Sequence, residues 1–327
     1  TCCKNWGVGD KHDDRAGRDT VNSCPSVCRQ GVRDGRGFRL RDTDCRAHRV
    51  GGMGENETKG GRRRKLAAIG SNCIDFYQNL EGGLPCPGGG PVNMAVYTLR
   101  LGGTASYIGP VGDDPYGALM QKAMEEKGVD VSHLHILPGA TAVSQVELRD
   151  GERILGDYDE GVLENYTLSR EDIDFICTHD VVVCDLWGKV EGFFPELRAR
   201  GLPTAFDGAI RPDDPAGRNA LPHTDYFFFS PDSGDTPALR EQLRRYHAQG
   251  PRLVTAMLGE QGSLCFDGTA FHKFGVVPCP KVVDSMGAGD SYIAGFLTGI
   301  IGGAPVEKAM EMGAAAATET LQYFGAW

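Results

Sequence analysis

The chain has 327 residues, 40% of them hydrophobic, enough to bury one large core and a small appendage. Its net charge of -10 leaves no basic face for nucleic acid or an anionic membrane, so a small-molecule partner is expected. No run of about 18 apolar residues is present to span a bilayer and no apolar signal core opens the chain, which makes the cytoplasm the expected location.

Residues 1–64 are rich in Arg and Gly and show almost no apolar periodicity. Cys2, Cys3, Cys24, Cys28, Cys45 and His48 contain no Cys-x-x-Cys pair with a matching second half, so a zinc module is not favoured. A disordered leader, or sequence lying upstream of a start at Met53, is the preferred reading. Arg62, Arg63, Arg64 and Lys65 read as a solvated entry to the first strand rather than a nucleic-acid patch. The remaining cysteines, Cys73, Cys86, Cys177, Cys184, Cys265 and Cys279, stand singly in apolar stretches, as reduced core thiols do.

From Lys65 onward, the short apolar runs KLAAIG, TASYIG, DVVVCD, PTAFD, DYFFFS and RLVTAM predict strands. Helical patterns over 92–101, 115–127, 192–200 and 237–249 separate them, which makes the fold class α/β with a doubly wound, mostly parallel sheet. The stretch 141–158 predicts a hairpin turning at Asp150 and Gly151; inserted in a parallel fold, it is expected to form a small β lid. A second hairpin over 263–274, turning at Asp267 and Gly268, is expected at the edge of the main sheet. The small-residue run from 287 to 323 predicts two packed helices broken at Gly302, Gly303 and Pro305.

The most specific segment is VVDSMGAGDSYIAGFLTG, an apolar strand, a Gly-Ala-Gly turn and an acid opening a helix. Gly287, Ala288 and Gly289 place backbone N–H groups at a positive helix end, where an anion is favoured. A carboxylate repels a phosphate but suits a base facing a hydroxyl that attacks the γ-phosphorus, which marks Asp290. A bare GAGD would more simply be a helix cap behind a tight turn, so this reading leans on the rest of the chain.

DSMGAGD resembles the C-terminal signature of the ribokinase-like, or pfkB, sugar kinases, with Ser285 in the place of Thr. GGGPVNMAVYTLRLGG, with Gly88, Gly89 and Asn93, resembles their N-terminal signature. The resemblance runs over 65–327 and implies a kinase domain there, with ATP and Mg²⁺ as cofactors and a sugar as acceptor. It places Asp75, at the end of the first strand, with Gly88, Gly89 and Asn93 against sugar hydroxyls; Asn93 alone would equally suit a helix cap. TAMLGEQGSLCF is similar to the family's nucleotide-lining stretch, implying ATP contacts for Leu258, Gly259 and Gly262. Asp207 and Arg211 resemble an Asp-x-Asn-x-Arg element in which Ala209 replaces the Asn; Arg211 is then a phosphate ligand or else a surface arginine. Ser230 and Ser233 stand where the family often carries Asn-x-x-Glu, which puts that route to Mg²⁺ in doubt. The resemblance further implies a K⁺ site beside Asp284, whereas a homodimer through the lid is expected from the apolar alternation of the lid hairpin, which needs cover.

Within the family, GDYDEGV, LWGKVE and QYFGAW resemble the bacterial fructoselysine 6-kinases, whose acceptor is an Amadori product. Such an acceptor carries an ammonium that Asp157, Asp159 and Glu160 are placed to meet, although acids after a hairpin are more commonly solvated. A kinase for fructose, ribose, ketodeoxygluconate or a nucleoside, and a non-catalytic binding regulator on the same scaffold, are the alternatives.

Overall fold

A computed structural model describes residues 63–149 and 152–327. The readings made for 1–62, cysteines included, and for the turn at Asp150 and Gly151 lie outside them.

The described chain runs β1 (Lys65–Ile69), β2 (Cys73–Tyr77), β3 (Leu84–Gly88), α1 (Gly90–Arg100), β4 (Thr104–Gly112), α2 (Pro115–Lys127), β5 (Asp130–Leu137), β6 (Val143–Arg149) and β7 (Glu152–Asp159). It continues through α3 (Arg170–Ile176), β8 (Val181–Asp185), α4 (Phe194–Ala199), β9 (Thr204–Asp207), α5 (Pro215–Ala220), β10 (Tyr226–Phe229) and α6 (Pro237–His247). It closes with β11 (Leu253–Met257), β12 (Ser263–Phe266), β13 (Phe271–Phe274), α7 (Ala288–Ile301) and α8 (Val306–Thr320).

The main sheet has nine strands in the order β13-β12-β11-β10-β9-β8-β1-β4-β5, parallel from β11 to β5, with β12 and β13 added antiparallel at one edge. The second expected hairpin is therefore a sheet edge, as its sequence indicates. The chain leaves β1 to build β4 and β5 on one side, then crosses to β8 on the other. The β1/β8 boundary is thus a topological switch point, where α/β sheets open a crevice at their strand ends.

Strands buried on both faces send alternate side chains to two cores. On β1, Leu66 and Ala68 join one core while Ala67 and Ile69 join the other. On β10, Phe228 packs edge-on against Phe296 of α7 at 5.3 Å, whereas Phe227 and Phe229 flank Tyr246 of α6 at 5.5 and 5.4 Å. The run of three phenylalanines so ties helices on both sides to one strand.

The hairpin expected over 141–158 is β6–β7, but it does not stand alone. It pairs with β2 and β3 in a separate sheet of order β3-β2-β6-β7. Asp75 accordingly lies within β2 of this second sheet, not at the end of the first strand. The reason is the bend at Gly70, whose positive φ of 96° turns the chain out of the main sheet. The C-terminal helices break at 302–305 as expected; α8 ends at Thr320, and 321–327 folds back along the site.

Candidate active site

The crevice at the switch point is lined from the ends of β1 and β8. Ser71 donates a 2.7 Å hydrogen bond to Oδ2 of Asp185, and the Trp187 N–H donates to its Oδ1 at 3.2 Å. The two strand ends approach backbone to backbone, since a Cβ on Gly70 would stand 2.6 Å from Cα of Gly188. One strand further on, Asp207 ends β9 and accepts the Ala209 N–H at 2.8 Å. Both carboxylates are buried, and among the described residues neither forms an ion pair.

Asp290 enters from the opposite side on the first turn of α7, behind Gly287, which caps the helix at a φ of 74°. Gly90 stands between the acids: a Cβ there would lie 2.9 Å from Oδ2 of Asp185 and 3.3 Å from Oδ1 of Asp290. Its lack of a side chain allows the carboxylates to converge. Asn93 of α1 donates from Nδ2 to Oδ2 of Asp290 at 2.7 Å, and its own Oδ1 accepts the indole N–H of Trp327 at 2.6 Å.

Crowding sets the electrostatics. Burial pushes the Asp290 carboxyl up to about 6, opposed by the hydrogen bond from Asn93, which favours the charged form. Burial lifts Asp185 to about 7, with the Ser71 hydroxyl opposing and the Asp290 charge adding. Burial and the Asp290 charge carry Asp207 to about 8. All three carboxyls are thus raised, because burial and their mutual repulsion disfavour three negative charges in one crevice.

The second sheet closes another side. Asp75 is buried beside Gly88, and the Cys73 thiol points at its Oδ1 at 3.6 Å. Gly89, the residue before α1, sits at a φ of 102° with the Asn72 backbone so near that no side chain fits. Asn93 is not a cap, because its own N–H bonds the Gly89 carbonyl within the helix.

Other expected site residues are more scattered. Leu258, Gly259 and Gly262 form the turn between β11 and β12, and Met257 just before them reaches to 3.7 Å of where a Gly289 Cβ would stand. Arg211 pairs with Asp214 at 3.3 Å and lies over the Trp187 ring at 5.9 Å. Asp157 is exposed on β7, and Glu160 forms an ion pair with Lys189 rather than standing alone. Asp284 accepts the N–H groups of Met286 at 3.0 Å and Gly325 at 2.8 Å, tethering the Gly-Ala-Gly turn to 321–327.

Asp185, Ser71 and Trp327 were not singled out from the sequence. For Asp185 a signal existed: an acid ending the wholly buried strand VVVCD faces a crevice, because the carboxyl ends of such strands do. Trp327 was marked only as part of the ending QYFGAW, and its bond to Asn93 left no signal, since the two lie 234 residues apart in the chain.

A parallel α/β sheet with a helix start and buried acids at its switch point is the architecture of the ribokinase-like kinases. The Arabidopsis thaliana ribokinase complexed with ribose and ATP matches the fold with a TM-score of 0.71, over 81% of this chain and 94% of its own, at 22% identity. The chain belongs to the pfkB family of carbohydrate kinases, whose match covers residues 63–327. It is similar to the fructoselysine 6-kinase of Shigella flexneri, 43% identical over 264 residues, which are 81% of this chain and 100% of that protein. The fructoselysine 6-kinase of Escherichia coli K12 is 42% identical over the same shares.

Proposed function

We propose that the chain transfers the γ-phosphoryl group of ATP to the 6-hydroxyl of fructoselysine, with Asp290 as the base. The observation that carries the reading is the placement of Asp290: a carboxylate on the first turn of α7, behind Gly287 and Gly289, with a pKa raised to about 6. Near neutral pH it is ionised yet basic enough to take a hydroxyl proton. The acceptor oxygen then attacks the γ-phosphorus, the bond to ADP breaks, and N–H groups of the Gly287–Gly289 turn meet the charge on the group in transit. Asp75 and the backbone at Gly88 and Gly89 hold acceptor hydroxyls in this reading, while the turn at Leu258, Gly259 and Gly262 lines the nucleotide.

Fructoselysine is favoured as the acceptor by the full-length likeness to the two bacterial enzymes of that name. The ion pair of Glu160 and Lys189 supports it, offering an anion and a cation side by side to a zwitterionic lysyl end. Lys189 adopts a φ of 55°, a strained backbone for a non-glycine residue of the kind concentrated at binding sites.

Mg²⁺ fits a site where two buried acids lack ion-pair partners; the carboxylates of Asp185 and Asp207 would hold it beside the nucleotide phosphates. When bound, it offsets phosphate charge. Asp284 gives both oxygens to backbone N–H groups, the arrangement of a tether, and no step here runs through K⁺. The kinase domain spans 65–327 in this reading, with a cytoplasmic location and a homodimer formed through the second sheet, where Leu84 and Ile154 are exposed.

The test measures ADP release with fructoselysine, fructose, ribose and ketodeoxygluconate as acceptors, alongside Asp290→Asn. Fructoselysine should give the highest kcat/KM, and Asp290→Asn should lower kcat by about 10²–10⁴-fold. Preference for fructose would overturn the acceptor, and retained turnover in Asp290→Asn would overturn the base.

A further inference from the structure

We propose that Trp327 is a positioning residue for phosphoryl transfer: its indole N–H fixes the Asn93 amide in the one orientation that donates to Asp290. The inference rests on the reading of Asp290 as the base.

A primary amide has two ends of nearly equal shape, one an acceptor and the other a donor. Flipped, Asn93 would turn its oxygen on the Asp290 carboxylate and withdraw the hydrogen bond that favours the ionised base. Asn93 is 3% exposed, so bulk water does not set its orientation. The indole nitrogen is a donor only, so Trp327 can face Oδ1 and not the NH₂ group. The 2.6 Å bond from Trp327 and the 2.7 Å bond to Asp290 thus form one directed chain.

Among the described residues, the charge of Asp290 bears on two acids and a thiol, Asp185 from β8, Asp207 from β9 and Cys73 from β2. Among the described residues, Asn93 alone donates a side-chain hydrogen bond to Asp290. Trp327 is itself held in register. Tyr97 donates to the Ala326 carbonyl at 2.6 Å, Gly325 is tied to Asp284, and Lys127 lies over the indole ring at 5.6 Å. Through Asp284, the segment that carries the indole is fastened to the turn that delivers Asp290.

The experiment compares Trp327→Phe, Asn93→Ala, their double variant, Tyr323→Phe and Asp290→Asn. Phenylalanine keeps an aromatic ring at the position and removes the donor, and because that ring is smaller than indole, Tyr323→Phe controls for loosened packing of the segment. Trp327→Phe should lower kcat about fivefold to tenfold, the effect of one buried hydrogen bond, with KM for both substrates within about twofold. The acid limb of its kcat profile should move to higher pH, because the base loses the donor that favours its charge. Added to Asn93→Ala it should cost nothing more, since Trp327 acts through Asn93. Tyr323→Phe loosens the same segment without touching Asn93 and should leave the pH profile in place. A wild-type profile in Trp327→Phe, losses that multiply in the double variant, or an equal pH shift in Tyr323→Phe each overturn the inference while Asp290→Asn shows its expected loss in kcat. Wild-type turnover in Asp290→Asn removes the base beneath it instead.

Discussion

Gly88 and Asp75 approach so closely across the β2–β3 ladder that a Cβ on the glycine would stand 2.8 Å from the carboxylate Oδ2. The backbone at Gly88 is ordinary extended strand, so the absent side chain is what the position requires. Gly88→Ala should push Asp75 aside and raise the acceptor KM by about tenfold, an effect near 1.4 kcal/mol, with the ATP KM nearly unchanged. Steady-state kinetics with each substrate varied in turn check this, and an equal rise in both constants would assign Asp75 a purely structural part.

Turnover should fall on the acid side as Asp290 takes up a proton. Its carboxyl is raised to about 6, so kcat/KM should halve near that pH and drop about tenfold for each further unit of acid. A pH–rate profile flat down to pH 5 would contradict the assignment.

Stability should show the opposite dependence at Asp207. Its folded pKa, near 8, lies above the ordinary carboxylate value of 3.8, so the folded state holds a proton that the unfolded chain has released. That contribution is complete below about pH 4 and is lost as pH rises through 8. Asp207→Asn removes the dependence, so its gain in Tm over wild type should be about 2 °C or more larger at pH 8.5 than at pH 5. Thermal melts of both proteins at the two pH values decide it.

Ala209 sits at a φ of 44°, a left-handed backbone that alanine adopts only at a cost. The Ala209 N–H bonds Asp207 and its carbonyl accepts from Ser230, so the loop is held in that shape from both sides. Asparagine tolerates the left-handed region far better, and Ala209→Asn should stabilise by about 0.5–1 kcal/mol, read as a higher Tm.

Breaking the Glu160–Lys189 pair should act on specificity. Glu160→Gln removes the anion while leaving the sugar contacts, so KM should rise several-fold for fructoselysine and stay unchanged for fructose. Because the pair is about one third exposed, the change should be modest and weaken further in high salt.

The inner parallel strands were legible because each is a short apolar run buried on both faces, as in DVVVCD and DYFFFS, and the α7 start because glycines mark its turn. The second sheet was half hidden. Pro85 and Pro87 interrupt the pattern of β3, which tolerates them because it is an edge strand with one side unpaired. β5 escaped notice for a related reason: as the other edge of the main sheet it alternates half-buried and exposed residues, with two histidines among them. At the site, local spacing marked Asp290 and the Gly-Gly turn, whereas the bonds that join Asn93 to Asp290 and Trp327 were not foreseen. Contacts that join residues 197 and 234 positions apart leave no periodic trace.

The packing of Phe228 on Phe296 has an evolutionary corollary. Phe296 lies six residues after Asp290 on α7, so the bulk at Phe228 sets how high the helix rides above the sheet and where its first turn sits. On the other face, Phe227 and Phe229 meet α6, on which none of the site residues described above lies. The two cores of one protein should therefore drift at different rates: substitutions between α6 and the sheet need only keep the fold, while those beneath α7 must also leave Asp290 where it is.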